Sequence, residues 1–156
     1  MTIMRRHAPR DRGQALVEFS LVLIPFLFLL MGVLDLGRGI YINNGIAQAA
    51  REIARITATH PCTGDPCTLG NSPETAAVTA TQKGLVPGLA DASSTITLTC
   101  TDITDAVRTS TNCGPPYFVR VRITVPFSVL TPLLSMVAPT TLSTTTHVEI
   151  HNIEIP

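Results

Sequence analysis

Charged residues are scarce in this sequence, and basic residues become scarcer still after the first twelve positions. Only 14% of the 156 residues are charged, and Lys83 is the single lysine. The arginines beyond Arg12 are scattered, so no basic face for a phosphate backbone is visible. The sequence therefore predicts no nucleic-acid partner.

Motifs that carry catalysis are also missing. The chain contains no G-x-S-x-G, no phosphate-binding loop, no H-E-x-x-H and no nucleophile paired with a base at an interpretable spacing. We therefore predict that the protein is not an enzyme and has no cofactor. A periplasmic enzyme that uses His147 or His151 is an alternative.

The length of 156 residues limits the architecture to one modest domain plus an anchor. The candidate anchor runs from Gln14 to Leu34, and Glu18 is its only charged residue. A bilayer core requires about 20 predominantly apolar residues in a helix. We therefore expect one membrane-spanning helix over 14–34.

The distribution of charge predicts how this helix is oriented. Arg5, Arg6, Arg10 and Arg12 precede the apolar run, accompanied only by Asp11. The positive-inside bias then places the N-terminus in the cytoplasm and the chain after Asp35 across the membrane.

Two alternatives to a permanent anchor are a buried core helix and a cleaved secretory signal. A small domain gains nothing from a core helix that is apolar on all sides. The small-x-small sequence Ala47-Gln48-Ala49 lies too far beyond Leu34 for usual signal cleavage. Glu18 is also costly in hydrocarbon, which indicates a functional role.

Residues 12–19, Arg-Gly-Gln-Ala-Leu-Val-Glu-Phe, resemble a type IV prepilin processing site. The longer stretch from Gly13 to Arg55 resembles the TadE-like family of tight-adherence (Flp-type) pilus assembly proteins, which are bacterial. The resemblance covers about the first 60 residues, and Ile53 stands where the family often has glycine. Its matching features are Gly13, Glu18, Phe19, Pro25, Asp35, Gly37, Arg38, Ala49, Ala50, Arg51, Glu52 and Arg55.

The resemblance implies a minor pilin or pseudopilin that is cleaved between Gly13 and Gln14 by a prepilin peptidase. Its implied partners are the membrane, other pilin-like subunits and the pilus assembly platform, in a system for surface adhesion. Glu18, next to Phe19, would be the fifth residue of the mature chain and would neutralise an α-amino group about one helical turn away.

One other interpretation of these residues competes with processing. Gly13 could be a loop residue and Glu18 an interfacial carboxylate, in which case the chain would be an unprocessed single-pass envelope protein with an extracytoplasmic binding domain. If the pilin reading holds, we expect stems to associate through Glu18 and small residues, namely Gly32, Gly37 and Gly39.

After Asp35 the pattern predicts an amphipathic stem helix to about Thr59, then a short helix over 74–84. Alternating residues predict strands over 95–101, 117–125 and 140–150. We therefore expect a pilin-like α+β fold in which a small antiparallel sheet packs on the stem. The predicted segments are a cytoplasmic leader (1–13), a transmembrane helix (14–34), a stem helix (35–59) and an extracytoplasmic domain (60–156).

Two features at the outer membrane face remain open in the sequence. Asp35 and Arg38 are three residues apart, so they form either an ion pair or an ordinary solvated pair. The apolar connection 126–137 either covers the sheet or contacts the membrane or a partner. Its large apolar residues are Leu130, Leu133, Leu134 and Met136.

All four cysteines follow the anchor, a placement outside the cytoplasm that favours disulfides. Among the three possible arrangements we favour Cys62 with Cys67 and Cys100 with Cys113, because both close short loops. The rival is a four-thiolate zinc site, although the usual close C-x-x-C pairs are missing.

His147, Glu149 and His151 would share one face of a strand, where they would either hold a metal or form a solvated face. We favour the solvated face and predict no metal.

Overall fold

The structure is a computed structural model that describes residues 11–63, 68–108, 113–131, 136 and 140–150. It contains two helices followed by a four-stranded antiparallel sheet, so the predicted α+β fold class is confirmed. The elements are α1 (Asp11–Thr59), α2 (Pro73–Leu85), β1 (Thr95–Thr101), β2 (Val107–Arg108), β3 (Phe118–Pro126) and β4 (Thr141–Glu149).

Helix α1 is 49 residues long and passes through Pro25 without ending. At a rise of 1.5 Å per residue it is about 74 Å long. Helix α2 begins where the sequence predicts, because Ser72 accepts a hydrogen bond from the Thr75 amide at 3.2 Å and Pro73 occupies the first turn.

The sheet has the order β2-β1-β3-β4, and all neighbouring strands are antiparallel. The two-residue strand β2 was not predicted, because it is too short to show an alternating pattern. In the central strand β3, alternate residues face the helix and are fully buried. They are Val119, Val121, Ile123 and Val125.

The core lies between β3, β4 and the C-terminal half of α1. Ile46 and Ile53 fill it, while the small side chains of Ala49, Ala50 and Ala54 let the sheet approach the helix backbone. The predicted packing of the sheet on the amphipathic half of the stem is thus confirmed. The N-terminal half of α1 extends beyond this core.

Gly88 closes the turn after α2 against the sheet. Its φ is +81°, and a Cβ built on it would lie 2.8 Å from Cγ1 of Val125. Left-handed backbone and close approach both require glycine here.

We expect Gly88→Ala to lower the free energy of unfolding by about 1–2 kcal/mol, because alanine would be strained at this φ and would crowd the core. The matched control is Gly84→Ala in α2, where nothing lies within 4 Å of the added Cβ. That change should raise stability by about 0.5–1 kcal/mol. Urea unfolding in detergent measures both changes in stability. Equal effects of the two substitutions would contradict the requirement for glycine at position 88.

Candidate functional site: the stem helix and its junction with the domain

The N-terminal half of α1 is an uncovered apolar surface. No side chain from Leu16 to Leu34 is buried by the described residues. By length and composition, α1 can cross a membrane. The 21 residues from Gln14 to Leu34 rise about 32 Å, which matches a hydrocarbon core of about 30 Å.

The predicted processing residues lie together at the start of this surface. Gly13 and Gln14 are within the first turns of α1, and nothing lies within 4 Å of a Cβ built on Gly13. The Gln14 side chain donates a hydrogen bond from Nε2 to Oε1 of Glu18 at 3.1 Å. Glu18 is therefore within reach of a group on residue 14, and Phe19 beside it is exposed.

At the other end of the apolar run, Asp35 is buried, with only 3% of its surface exposed. Its carboxylate accepts hydrogen bonds from the Leu130 amide (2.9 Å), the Thr131 amide (2.9 Å) and the Thr131 hydroxyl (2.7 Å). Bonds to an ionised acceptor are roughly twice as strong as neutral ones. Asp35 thus fixes the chain after β3 to the helix.

One turn further along α1, Arg38 holds the same chain segment. Its Nη1 donates to the Ser128 carbonyl oxygen at 2.9 Å, and its guanidinium lies 5.6 Å from the centroid of the Phe127 ring. That ring also packs over Gly39, where an added Cβ would lie 3.4 Å from it. We call Asp35, Arg38 and residues 127–131 the stem–loop junction.

The structure shows how Asp35 and Arg38 interact, a point that the sequence left open. Among the described residues they form no ion pair with each other; Asp35 is buried, Arg38 is exposed, and each binds the loop. Gly39 faces Phe127 of its own chain, whereas Gly37 has open space beside it. Stem association through Gly32, Gly37 and Gly39 stays a prediction, and Gly37 has room for a neighbouring backbone.

The structure describes part of the apolar connection 126–137, which was expected to cover the sheet or to contact the membrane or a partner. Phe127 and Leu130 lie at the junction, whereas Leu133 and Leu134 lie outside the described residues. No local pattern reveals this contact, because Leu130 is 95 residues from Asp35 in sequence.

His147 lies at the end of the sheet away from the junction. Its Nε2 accepts a hydrogen bond from Arg120 Nε at 3.0 Å and lies 3.3 Å from Oδ1 of Asp105, which also pairs with Arg120. His151 lies outside the described residues. Within the described part of the chain, no group of three His, Cys, Asp or Glu residues could hold a metal ion.

A disulfide joins Cys100 at the end of β1 to Cys113, the pairing favoured from the sequence. The bond closes a loop with a sequence separation of 13 residues. The other pairing favoured from the sequence joins Cys62 to Cys67, and Cys67 lies outside the described residues.

Asp102 organises the turn between β1 and β2. Its Oδ1 accepts hydrogen bonds from the Thr104 hydroxyl (2.6 Å), the Thr104 amide (2.8 Å) and the Ala106 amide (3.1 Å). Its Oδ2 pairs with Arg108 at 2.6 Å. The Thr104 hydroxyl above all, and then Arg108, hold the pKa of the Asp102 carboxyl well below its ordinary value.

The stem helix matches the TadE-like protein family. The match covers residues 13–55, from the predicted processing site past the junction residues Asp35 and Arg38. It confirms the resemblance to TadE-like pilus assembly proteins over that segment. No curated protein and no solved structure matches the chain.

The TadE-like match and the apolar helix together indicate a pilus-related, single-pass membrane protein. The match ends before the sheet, so the family resemblance is carried by the stem and one side of the junction. The loop side of the junction, residues 127–131, lies outside the matched segment.

We expect Asp35→Asn to lower the free energy of unfolding by more than Thr131→Val does. The asparagine amide group would face backbone donors, whereas Thr131→Val removes one hydroxyl bond worth about 1 kcal/mol. Glu52→Gln, in an exposed pair with Arg55 on the same helix, should leave stability unchanged. Urea unfolding in detergent compares the three variants. A urea midpoint of Asp35→Asn equal to that of wild type would contradict the stabilising role of Asp35 in the junction.

The lowered pKa of Asp102 makes the β1–β2 turn sensitive to acid. A carboxyl whose pKa is lower in the folded state than its unfolded value of about 3.9 stabilises the fold above that value and loses this effect as pH falls. We therefore expect Asp102→Asn to be less stable than wild type at about pH 6, with the difference shrinking towards about pH 3. Urea unfolding at both pH values tests this, and a constant difference would refute it.

Proposed function

We propose that this chain is a minor pilin or pseudopilin of a tight-adherence (Flp-type) pilus, inserted with its N-terminus in the cytoplasm and cleaved after Gly13 by a prepilin peptidase. The observation that carries the proposal is the contact between the side chains of Gln14 and Glu18, 3.1 Å apart at the start of an uncovered apolar helix. In a TadE-like stem, this is where processing would occur.

The proposed orientation and cleavage site divide the chain into four segments. Residues 1–13 form the leader, 14–34 the transmembrane helix, 35–59 the stem and 60–156 the extracytoplasmic domain. The apolar run between the leader and Asp35 is long enough to span the bilayer core.

Cleavage after Gly13 would create a new α-amino group on Gln14. Because residues four apart in a helix lie one above the other, Glu18 can neutralise this amine in its own stem or in a neighbouring one. A carboxylate in hydrocarbon is costly when it has no partner, so the new amine accounts for an acid in an otherwise uncharged run.

The exposed apolar side chains of the stem support a role in assembly. In the bilayer lipid covers them, and outside it only other apolar stems could do so. Gly37 has nothing within 4 Å of an added Cβ, so a neighbouring backbone can approach closely there. The proposed partners are accordingly other pilin-like subunits and the assembly platform, and the product is a surface pilus for adhesion.

A complementation experiment separates processing from assembly. Cells that lack this gene receive wild type, Gly13→Leu, Glu18→Gln or Gly37→Leu, with and without the prepilin peptidase; Gly37→Leu is a control for cleavage only, because it leaves residues 12–19 unchanged. The mature N-terminus is sequenced after membrane extraction, and pili are counted. We expect wild type to begin at Gln14 only when the peptidase is present.

Each variant tests one step. Gly13→Leu should stay uncleaved because a side chain blocks close approach of the protease to the backbone. Glu18→Gln should be cleaved but should form few pili, since the new amine lacks its counter-charge. Gly37→Leu should be cleaved normally. Wild-type chain still beginning at Met1 beside an active peptidase would refute the proposal and favour an unprocessed envelope protein.

A further inference from the structure

Leu130 is held at the depth where the apolar run of α1 ends. Its amide nitrogen lies 2.9 Å from Oδ1 of Asp35, the residue that directly follows Leu34. Its side chain is 69% exposed. An uncovered leucine is therefore fixed beside the stem at the level where a bilayer core of about 30 Å, entered at Gln14, would end.

Three backbone groups around Leu130 are hydrogen-bonded to side chains of α1 and therefore do not need water as a partner. The amides of Leu130 and Thr131 both donate to the Asp35 carboxylate, and the Ser128 carbonyl oxygen accepts from Arg38. Loops at the edge of hydrocarbon are costly when such groups have no partner. Here the stem supplies partners for these three groups, so they keep their hydrogen bonds when the loop approaches lipid.

The stem surface near this depth has the composition of a membrane interface. Leu36 and Ile40 remain exposed beyond Asp35, and so does the ring of Tyr41. Tyrosine is enriched where hydrocarbon meets headgroups. Arginine can place its charge among headgroups while the aliphatic part of its side chain stays in apolar surroundings. Arg38, stacked on Phe127, lies within this zone.

We propose that the loop 127–131 inserts Leu130 into the outer leaflet, at the boundary between hydrocarbon and headgroups, as a second membrane contact of the protein. The occupant of this surface is lipid, because the loop is continuous with the lipid-facing surface of the stem. The membrane-spanning part of α1 and Leu130, which are far apart in sequence, then both contact the membrane and fix the distance of the domain from it. The inference rests on the membrane span and the N-in orientation of the proposed function, and it is independent of processing or pilus assembly.

The absence of tryptophan from the chain allows a direct test. Leu130→Trp introduces a single fluorophore at the loop. The matched control is Ile103→Trp, an 88% exposed position just beyond the far end of β1. That end is about 25–30 Å from the junction, the length of β3. Leu27→Trp, in the middle of the apolar run, reports insertion.

Full-length protein is reconstituted at a low protein-to-lipid ratio in phosphatidylcholine vesicles with and without bromine on the acyl chains. We expect tryptophan at 130 to emit at shorter wavelength than at 103 and to be quenched severalfold more by brominated lipid. In the Leu130→Trp background, Asp35→Asn should reduce that quenching because the loop is released.

Three results would overturn the inference. Solvent-like, unquenched emission from position 130 would mean that the loop stays in water. Short-wavelength emission that brominated lipid does not quench would mean that protein covers it. Quenching at 130 that persists in full with Asp35→Asn would show that the junction does not position the loop. Lack of quenching at position 27 would refute the span as well.

Discussion

One buried carboxylate connects the two halves of this protein. Asp35 stands between a surface that only lipid or other stems can cover and a domain with its own core, and its acceptor bonds hold the chain that leaves β3. If the domain were attached only through the sheet that packs on the C-terminal half of α1, it could tilt relative to the helix. The bonds at Asp35 and Arg38 extend the attachment down to the end of the apolar run, so helix and domain form one unit.

The amino-acid composition of α1 follows from this division. From Phe19 to Leu34 no residue is charged, and large apolar side chains lie on every face of the helix. Beyond Asp35, alanines line the side that meets the sheet, while Arg51 and Arg55 face water. The composition of the helix thus changes at Asp35, from side chains suited to lipid to side chains suited to a protein core and water. A buried carboxylate can be accommodated at this place because the amides of Leu130 and Thr131 and the Thr131 hydroxyl take the place of the water it has lost.

The elements could be predicted from the sequence because each has a strong local pattern. The valines of β3 alternate, Pro73 and Ser72 mark the start of α2, and the apolar run of α1 is unmistakable. The two-residue β2 has no such pattern and was missed. The resemblance of residues 12–19 to a prepilin site likewise pointed to the candidate processing site, and its residues Gln14 and Glu18, four apart in the helix, meet without help from the rest of the fold.

The junction could not be predicted, because its partners are 95 residues apart and neither looks unusual locally. Asp35 three residues before Arg38 suggests a pair on one helix face, and only the antiparallel path of β3 brings Leu130 and Ser128 beside them. The TadE-like match contains Asp35 and Arg38 but not the loop they bind. A stem motif can therefore include residues whose task is to seat a domain that lies outside the motif. Glu18 and Asp35 are acids at opposite ends of the same apolar run. The geometry separates the two: among the described residues Glu18 is exposed and accepts a hydrogen bond from the Gln14 side chain, whereas the donors around Asp35 already occupy its carboxylate.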